Sequence, residues 1–371
     1  MTTTRTQRRI SAVYMRGGTS RCLVFHERDL PPAGRERDAI LLAALGSPDP
    51  YGRQLDGMGG GISSLSKACI IGTSGHPGAD VDYTFAQVHV ARAEVDYSGN
   101  CGNCSSAVGP FAIDEGLVGA RDGETLVRIH NTNTKKIIVA HVPVTGGEAA
   151  VAGDFELPGV AGRGARIALD FVDPGGAGTG RLLPTGRAQE RIDGLACSLV
   201  DATNPVAFFR SADLGVAGTE TPQALDADRA LSERLERLRV AAAEMMGIPG
   251  SAAIPKIALV APPTAFTALD GGTHAAETTD VVARAISMGN CHRAVPLTVA
   301  MCLAVAARIP GTVVHECVAS ATGDVRLGHP SGVLPIAAAV GARHGSPWAE
   351  SVTVYRTARR LMEGFVRIPG S

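Results

Sequence analysis

The chain predicts an α+β protein of two similar, strand-rich halves, each built round one buried helix, and three observations carry that expectation. The first is the segment from Asn103 to Ile113, which follows the turn Ser98-Gly-Asn-Cys-Gly-Asn103 and contains no formal charge. A helix that is apolar on every face has to be buried. The second is a matching run in the other half, Ala294-Val-Pro-Leu-Thr-Val-Ala-Met-Cys-Leu-Ala-Val-Ala-Ala307, with Pro296 near its start and Arg308 closing it. At about fourteen residues it is too short to span a bilayer. The third is the presence of 45 glycines and 22 prolines in 371 residues, which implies many tight turns and therefore strands around the two helices.

In chain order, Ile10–Met15 and Cys22–Phe25 read as strands joined by the turn Arg16-Gly-Gly-Thr-Ser20. Arg35–Leu45 reads as a short amphipathic helix ended by Gly46 and Pro48. Gly57-Met-Gly-Gly-Gly61 leads into Ile62-Ser-Ser-Leu-Ser-Lys-Ala-Cys-Ile-Ile71, where hydroxyls cluster around one lysine before a buried strand. Val81–Val90 and Ala91–Tyr97 alternate as strands and deliver the chain to Cys101. Past the first buried helix, Thr125–His130, Lys136–Val144 and Ala165–Asp170 are expected strands. The stretch Gly175–Gly186 has the composition of a linker, so the domain boundary is expected at 182/183. Its glycines precede no apolar helix, which argues against a P-loop or a Rossmann turn.

In the second half, Ile192–Val200 and Ala207–Arg210 read as strands, and Leu225–Met246 as one long surface helix ended by Gly247 and Pro249. Ile257–Ala261 is a strand, and Met288-Gly-Asn-Cys-His-Arg293 precedes the second buried helix. Thr312–Val318, Asp324–Leu327, Val352–Tyr355 and Phe365–Ile368 complete the expected strands.

A chain of 371 residues, 45% hydrophobic and 19% charged, is long and apolar enough for about two domains and is not disordered. A net charge of −1 without a basic stripe argues against a nucleic-acid partner, and the Arg5–Arg9 cluster reads as a solvated tail. The N-terminus has no apolar leader and no apolar run is long enough for a membrane span, so the expected location is the cytoplasm, with no membrane partner. The eight cysteines are then expected to be reduced, and Cys69, Cys197, Cys302 and Cys317 read as buried filling.

Two residues could do chemistry. The start of a buried helix leaves N–H groups without partners and presents the positive dipole end, so the turn Asn100–Asn103 is an anion site. Cys101 sits where thiolate is favoured over thiol. Lys67, among Ser63, Ser64 and Ser66, is expected to lose hydration, fall in pKa and serve as a neutral base, the hydroxyls holding a substrate carboxylate; the bland alternative is a strand lysine in solvent. Cys101 and Cys104 also form a C-x-x-C. Zinc would need a second ligand pair, for which Cys291-His292 is the only candidate, and a thioredoxin-like pair lacks its βαβ surroundings. A single catalytic thiol at Cys101 is the better reading.

Met15-Arg-Gly-Gly-Thr-Ser20, Gly59-Gly-Gly-Ile-Ser-Ser-Leu-Ser-Lys67, Val81-Asp-Tyr-Thr-Phe-Ala-Gln87, Ser98-Gly-Asn-Cys-Gly-Asn103, Val108-Gly-Pro-Phe-Ala-Ile113 and Gly328-His-Pro-Ser-Gly332 together resemble the PrpF family of 2-methylaconitate, methylitaconate and oxalomesaconate isomerases. The resemblance spans nearly the whole chain. It implies the diaminopimelate epimerase-like fold: two pseudo-symmetric barrel-like domains, 1–182 and 183–357, each around a central helix, with a closing segment, 358–371, that returns to the first domain. It puts the family's catalytic lysine and cysteine on Lys67 and Cys101, with Lys67 as candidate base and Cys101 as acid partner or second base, or the reverse order, and implies the shift of a double bond in a small unsaturated di- or tricarboxylate. Arg16, Thr19, Ser20, Ser64, Ser66, Gly102, Asn103, Ser105, Thr298 and Ser331 are the expected carboxylate-binding residues. No nicotinamide, flavin, pyridoxal or metal signature is present, so no cofactor and no metal are expected; the partner is the small polycarboxylate, with a homodimer left open.

Three departures from the family pattern stand out. Cys104 replaces a more usual aliphatic residue, which raises a Cys101–Cys104 disulfide under oxidation. Cys22 replaces a usual glycine and is expected to narrow the pocket. Ile62-Ser-Ser-Leu lies closer to the methylaconitate type than to the tautomerase type. Two rivals remain: a two-thiol racemase, which would need a thiol at the start of the second buried helix, and a non-catalytic accessory to an aconitase-like dehydratase, which would not need the pair Lys67 and Cys101.

Overall fold

The computed structural model describes residues 6–97, 99–249, 254–287, 289–319 and 322–370. Ser98 of the Cys101 turn and Met288 ahead of the second buried helix lie outside them. The chain divides into two compact units, Met1–Leu169 with Tyr355–Ser371, and Asp170–Val354.

In the first unit, β1 (Gln7–Gly17) turns back into β2 (Ser20–His26), and β2 is followed by helix α1 (Arg35–Leu45), which buries Ile40, Leu41, Ala44 and Leu45 and stops at left-handed Gly46. Next come β3 (Lys67–Thr73), β4 (Val81–Val88), the central helix α2 (Gly102–Asp114), β5 (Gly123–Asn131) and β6 (Lys136–Thr145). Pairing runs β1–β2 antiparallel, β2–β3 parallel, β3–β4 antiparallel, β4–β5 parallel and β5–β6 antiparallel. The strands bury alternate residues, Val127 and Ile129 on β5 and Ile138, Ala140 and Val142 on β6. From Cys104 to Ile113, α2 is buried at every position. A Cβ on Gly109 would stand 2.6 Å from Val142 Cγ2, so the helix lies directly on β6.

The second unit repeats this succession. Strand β7 (Leu195–Ala202) pairs antiparallel with β8 (Asn204–Arg210), β8 parallel with β9 (Lys256–Ala261), β9 antiparallel with β10 (Val281–Ser287), β10 parallel with β11 (Val325–His329), and β11 antiparallel with β12 (Gly332–Arg343). Between β8 and β9 the chain makes α3 (Pro222–Ala227) and α4 (Arg229–Met245). Between β10 and β11 lies α5 (Leu297–Ala306), where only Thr298 is not fully buried, followed by the short α6 (Val313–Cys317). β13 (Ser346–Arg356) pairs with β12, and β14 (Ala358–Pro369) then pairs along its length with β1, from Gln7–Pro369 to Gly17–Ala358.

Four local expectations need correction. Leu225–Met246 is not one helix: Asp228 leaves helical backbone and its carboxylate accepts from Leu231 N at 2.9 Å, ending α3 and capping α4. Thr312–Val318, rich in β-branched residues, is helical because the Thr312 hydroxyl accepts from His315 N at 3.0 Å and donates to Ala306 O at 2.7 Å. Only Val95–Asp96 of Ala91–Tyr97 is strand, since Glu94 N bonds Arg92 O at 2.8 Å and Arg92 pairs with the Glu94 carboxylate. Gly175–Gly186 is no linker: Gly178 N, Thr179 N and the Thr179 hydroxyl all donate to Asp201 Oδ2, at 2.6–2.8 Å, and Gly176 N to Asp201 O. The stretch is thereby fastened inside the second unit, and the first boundary falls at Leu169/Asp170 rather than 182/183, the second at Val354/Tyr355. Among the described residues no helix is long and apolar enough to cross a membrane.

Candidate active site

Lys67 and Cys101 come together at the start of α2. Cys101 is the helix N-cap, and its sulfur accepts from Cys104 N at 3.5 Å. Lys67 opens β3, is 8% exposed, donates to Gln87 Oε1 at 2.7 Å and lies with its Nζ 4.9 Å from the centre of the Phe85 ring. Gln87 is itself held by donating to the Ser63 and Ser66 carbonyls at 3.1 and 2.9 Å. The ammonium is thus positioned from two sides.

The charges on the pair follow from these contacts. Cys101 is driven well below the ordinary thiol range, first by the Cys104 thiol hydrogen bond, then, against burial, by the Lys67 charge and the N–H groups of Cys104 and Asn103. For Lys67 burial works downward, but the Cys101 charge opposes it and the net direction is upward. Desolvation works toward the neutral amine and the charge on the sulfur beside it toward the ammonium, so of the two orders left open, Lys67 or Cys101 as the base, these directions favour Cys101.

The turn between β1 and β2 closes over the helix start. A Cβ on Gly17 would stand 2.5 Å from Asn103 O, and one on Gly18 (φ +51°) 2.3 Å from Asn103 Oδ1, so only glycine allows this approach. Asn103 Nδ2 donates to Thr19 Oγ1 at 3.0 Å, and Asn103 Oδ1 accepts from Arg356 Nε at 3.1 Å. Thr19 is exposed, Asn103 half-buried, and Gly102 and Ser20 buried. Arg16 spends Nη1 on the Gly18 and Thr357 carbonyls at 3.0 and 2.9 Å. Ser64 is half-buried in the turn before Lys67.

Other predicted binding residues have different work. Ser66 is fully buried, donating to Val88 O at 2.9 Å and accepting from Gln54 Nε2 at 2.7 Å. Ser105 is also fully buried; its hydroxyl bonds Cys101 O at 3.1 Å and Asn100 Oδ1 at 3.4 Å, which ties the helix start together. Cys22 is fully buried in the core, so it does not narrow a pocket from its rim. Cys101 and Cys104 are free thiols. Thr298 and Ser331 belong to the second unit: Thr298 is half-buried in the first turn of α5, and the Ser331 hydroxyl donates to Arg293 O at 2.6 Å. There Pro296 caps α5 without a side-chain bond, and Cys302 is fully buried with its sulfur 3.4 Å from Val200 O. That helix start presents no thiol, which removes the basis of the two-thiol racemase.

Sequence reasoning missed Gln87 and Arg356. Gln87 closes one of the segments quoted for the family resemblance, Arg356 lies in none of them, and neither is near Lys67 or Cys101 in the chain. Arg356 is 5% exposed, and burial pulls it down to about 10 with Cys101 acting in the opposite direction, which places a second cation in the field of that sulfur.

The family model described as PrpF protein matches residues 7–369. The chain belongs to the PrpF family. A 2-methyl-aconitate isomerase of Shewanella oneidensis is 41% identical over 98% of both chains. The crystal structure of a methylitaconate-delta-isomerase is 40% identical, with a TM-score of 0.88 over 98% of this chain and 97% of its own. A hydroxyproline epimerase of Agrobacterium vitis, 13% identical with a TM-score of 0.53 over 98% of this chain and 93% of its own, shares the fold alone. This PrpF protein is an isomerase with the α+β, epimerase-like fold.

Proposed function

We propose that this chain moves a carbon–carbon double bond within a small unsaturated di- or tricarboxylate of the 2-methylaconitate type, without a cofactor, by proton transfer at Cys101 and Lys67. The observation that carries the reading is Cys101 and Lys67 brought together at the N-terminus of a buried helix, where the charge of each favours the ionised form of the other. Support also comes from the relatives, which are named as isomerases of 2-methylaconitate and methylitaconate.

The step needs one proton off and one proton on. The Cys101 thiolate takes an allylic proton from the carbon flanking the double bond, and the electron pair spreads into the adjacent carboxylate as a dienolate. That anion forms beside the Lys67 ammonium and the first N–H groups of α2, donors fixed before the charge develops. Lys67 then gives a proton to the far carbon, the double bond settles one position along, and proton exchange between the Cys101 thiol and the Lys67 amine restores the pair. A base below the ordinary thiol range matches work at neutral pH. Thr19, Asn103 and Arg356 hold a carboxylate at the mouth. We also place the protein in the cytoplasm, a reading supported by eight free thiols.

Proton NMR in D₂O under reductant, on 2-methylaconitate, methylitaconate, aconitate and oxalomesaconate, tests this. Double-bond migration with deuterium uptake, lost in Cys101→Ser and Lys67→Ala, is expected. No exchange on any of the four acids by folded, reduced protein would sink the reading and bring the accessory role forward.

A further inference from the structure

Behind the catalytic pair lies a group of thiols that proton transfer does not use. Cys22 on β2 and Cys69 on β3 stand on adjacent parallel strands, in a register that pairs Leu23 with Ala68 and Val24 with Cys69. Cys22 is therefore level with Lys67, and Cys22, Lys67 and Cys69 share the sheet face that α2 covers. Cys104, in the first turn of α2, comes down on that face. The three sulfurs of Cys22, Cys69 and Cys104 lie within 4.8 Å of one another, and all three residues are 0% exposed.

We propose that Cys22, Cys69 and Cys104 form a binding site for trivalent arsenic or antimony, taken up as the neutral trihydroxide. Coordination number and charge select this class. The group offers three sulfurs, with Cys101 outside it, whereas zinc takes four ligands in closed protein sites. Three thiolates around Cu(I) would leave two negative charges, and around Zn²⁺ one, in a site without water. The nearest ammonium, on Lys67, is already matched by Cys101. Arsenic(III) leaves none: one trihydroxide and three thiols form three As–S bonds, break three As–O bonds and release three waters, with no oxidant and no change of charge.

The resting state of the thiols agrees with a neutral ligand. Burial pushes Cys69 and Cys104 well above the ordinary thiol range; at Cys22 a hydrogen bond with Cys104 works downward and is outweighed by Cys69 and burial. Each of the three enters the reaction as a thiol, whose proton leaves with hydroxide as water. Cys101, half-buried and anionic, is the outermost sulfur and the point of entry, from which arsenic passes to Cys104 by thiol exchange. Once Cys104 is an arsenic ligand it no longer donates to Cys101, so occupancy also removes the first of the contacts that lower the Cys101 thiol.

The test is titration of the whole, reduced protein with sodium arsenite under a phosphine reductant, read by intact mass and by X-ray absorption at the arsenic edge. The expected result is one arsenic per chain, a mass gain of one arsenic less three hydrogens, and three sulfur neighbours. Cys101→Ser should keep the equilibrium stoichiometry and bind more slowly. Cys22→Ala or Cys69→Ala should weaken binding by roughly 10²-fold, because one of three linked contacts is gone. Two sulfurs and one oxygen around arsenic in the wild type, or binding abolished by Cys101→Ser and untouched by Cys22→Ala, would overturn the proposal in favour of a surface pair. No uptake by the folded wild type would overturn it outright. The wild-type absorption result decides even if a core variant fails to fold.

Discussion

The two units run through the same succession of strand pairings, antiparallel, parallel, antiparallel, parallel, antiparallel, and each places a buried helix before its fifth strand. Their helix starts differ. In the first unit α2 is capped by a sulfur that accepts from Cys104 N, with Lys67, Asn103 and Arg356 close by. In the second, α5 is capped by Pro296 with no side-chain bond, and its cysteine is one turn deeper, bonded to Val200 O in the core. A repeated scaffold supplies the same partnerless N–H groups and the same dipole twice. Chemistry is added at one end by a few side chains, and the scaffold can be altered separately from them.

The sharpest way to break that comparison is to remove one cysteine from each helix. Cys101→Ala should lower kcat by about 10²–10⁴, the span of a lost general base, with little change in thermal stability. Cys302→Ala should leave kcat within a factor of about two and destabilise by roughly 1–2 kcal/mol through a small cavity and the unpaired Val200 carbonyl. Steady-state rates and thermal melts of both variants measure this. Equal kinetic loss from the two would restore a two-thiol mechanism and contradict the asymmetry.

The two buried helices were legible because a run without charge has few other structural meanings, and the turn before Cys101 was legible because a helix start is a fixed electrostatic object. Lys67 stands out in the chain, but its electrostatic surroundings do not: there it has only hydroxyls around it, and the sulfur whose charge opposes its desolvation arrives from another element. Ser66 and Ser105 look like ligand donors in one dimension, yet their hydroxyls are used to fasten Gln54, Val88 and Cys101. Gln87 and Arg356 reach the site through pairing of β3 with β4 and return of the chain along β1, contacts that no local pattern encodes. Thr312–Val318 shows tertiary context overriding β propensity through one capping hydroxyl.

A smaller effect sharpens the contrast between Cys101 and Cys104. The active pair is thiolate and ammonium, so kcat/KM rises with pH through the lowered Cys101 pKa and falls only through the raised Lys67 pKa, leaving a plateau across neutral pH. Cys104→Ala removes the hydrogen bond that contributes most to the low value at Cys101. The acid limb, and with it the pH dependence of Cys101 alkylation by iodoacetamide, should move to higher pH. The plateau rate should stay near wild type. An unmoved limb would show that Lys67 and the helix N–H groups hold the thiolate by themselves.

Arg356 comes next in size. It bonds Asn103 Oδ1 through Nε, so Arg356→Lys keeps the charge and loses the fork that orients Asn103. KM for the acid should rise by about tenfold with a smaller fall in kcat, and Arg356→Ala should add a destabilisation of about 1–3 kcal/mol from the unpaired Asn103 oxygen. A fall in kcat with KM unchanged would instead place Arg356 in transition-state stabilisation.

The smallest effect separates the armed first turn of α2 from its body. Gly17→Ala forces a methyl to 2.5 Å from the Asn103 carbonyl, a backbone atom, while Gly109→Ala meets the Val142 methyl at 2.6 Å, a side-chain atom farther along the helix. Both are overpacking changes costing about 1–3 kcal/mol, which in a unit of this size lowers Tm by roughly 2–12 °C. They should differ in kinetics. The methyl on Gly17 can be relieved only by moving Asn103, and with it the carboxylate donors Thr19 and Arg356, so KM should rise as Tm falls. Relief at Gly109 shifts a valine on β6 and leaves the first turn in place, so KM should stay at its wild-type value. If the two variants gave the same KM at matched loss of stability, the position of the β1–β2 turn over Asn103 would carry no part of substrate binding, and its two glycines would be accounted for by packing alone.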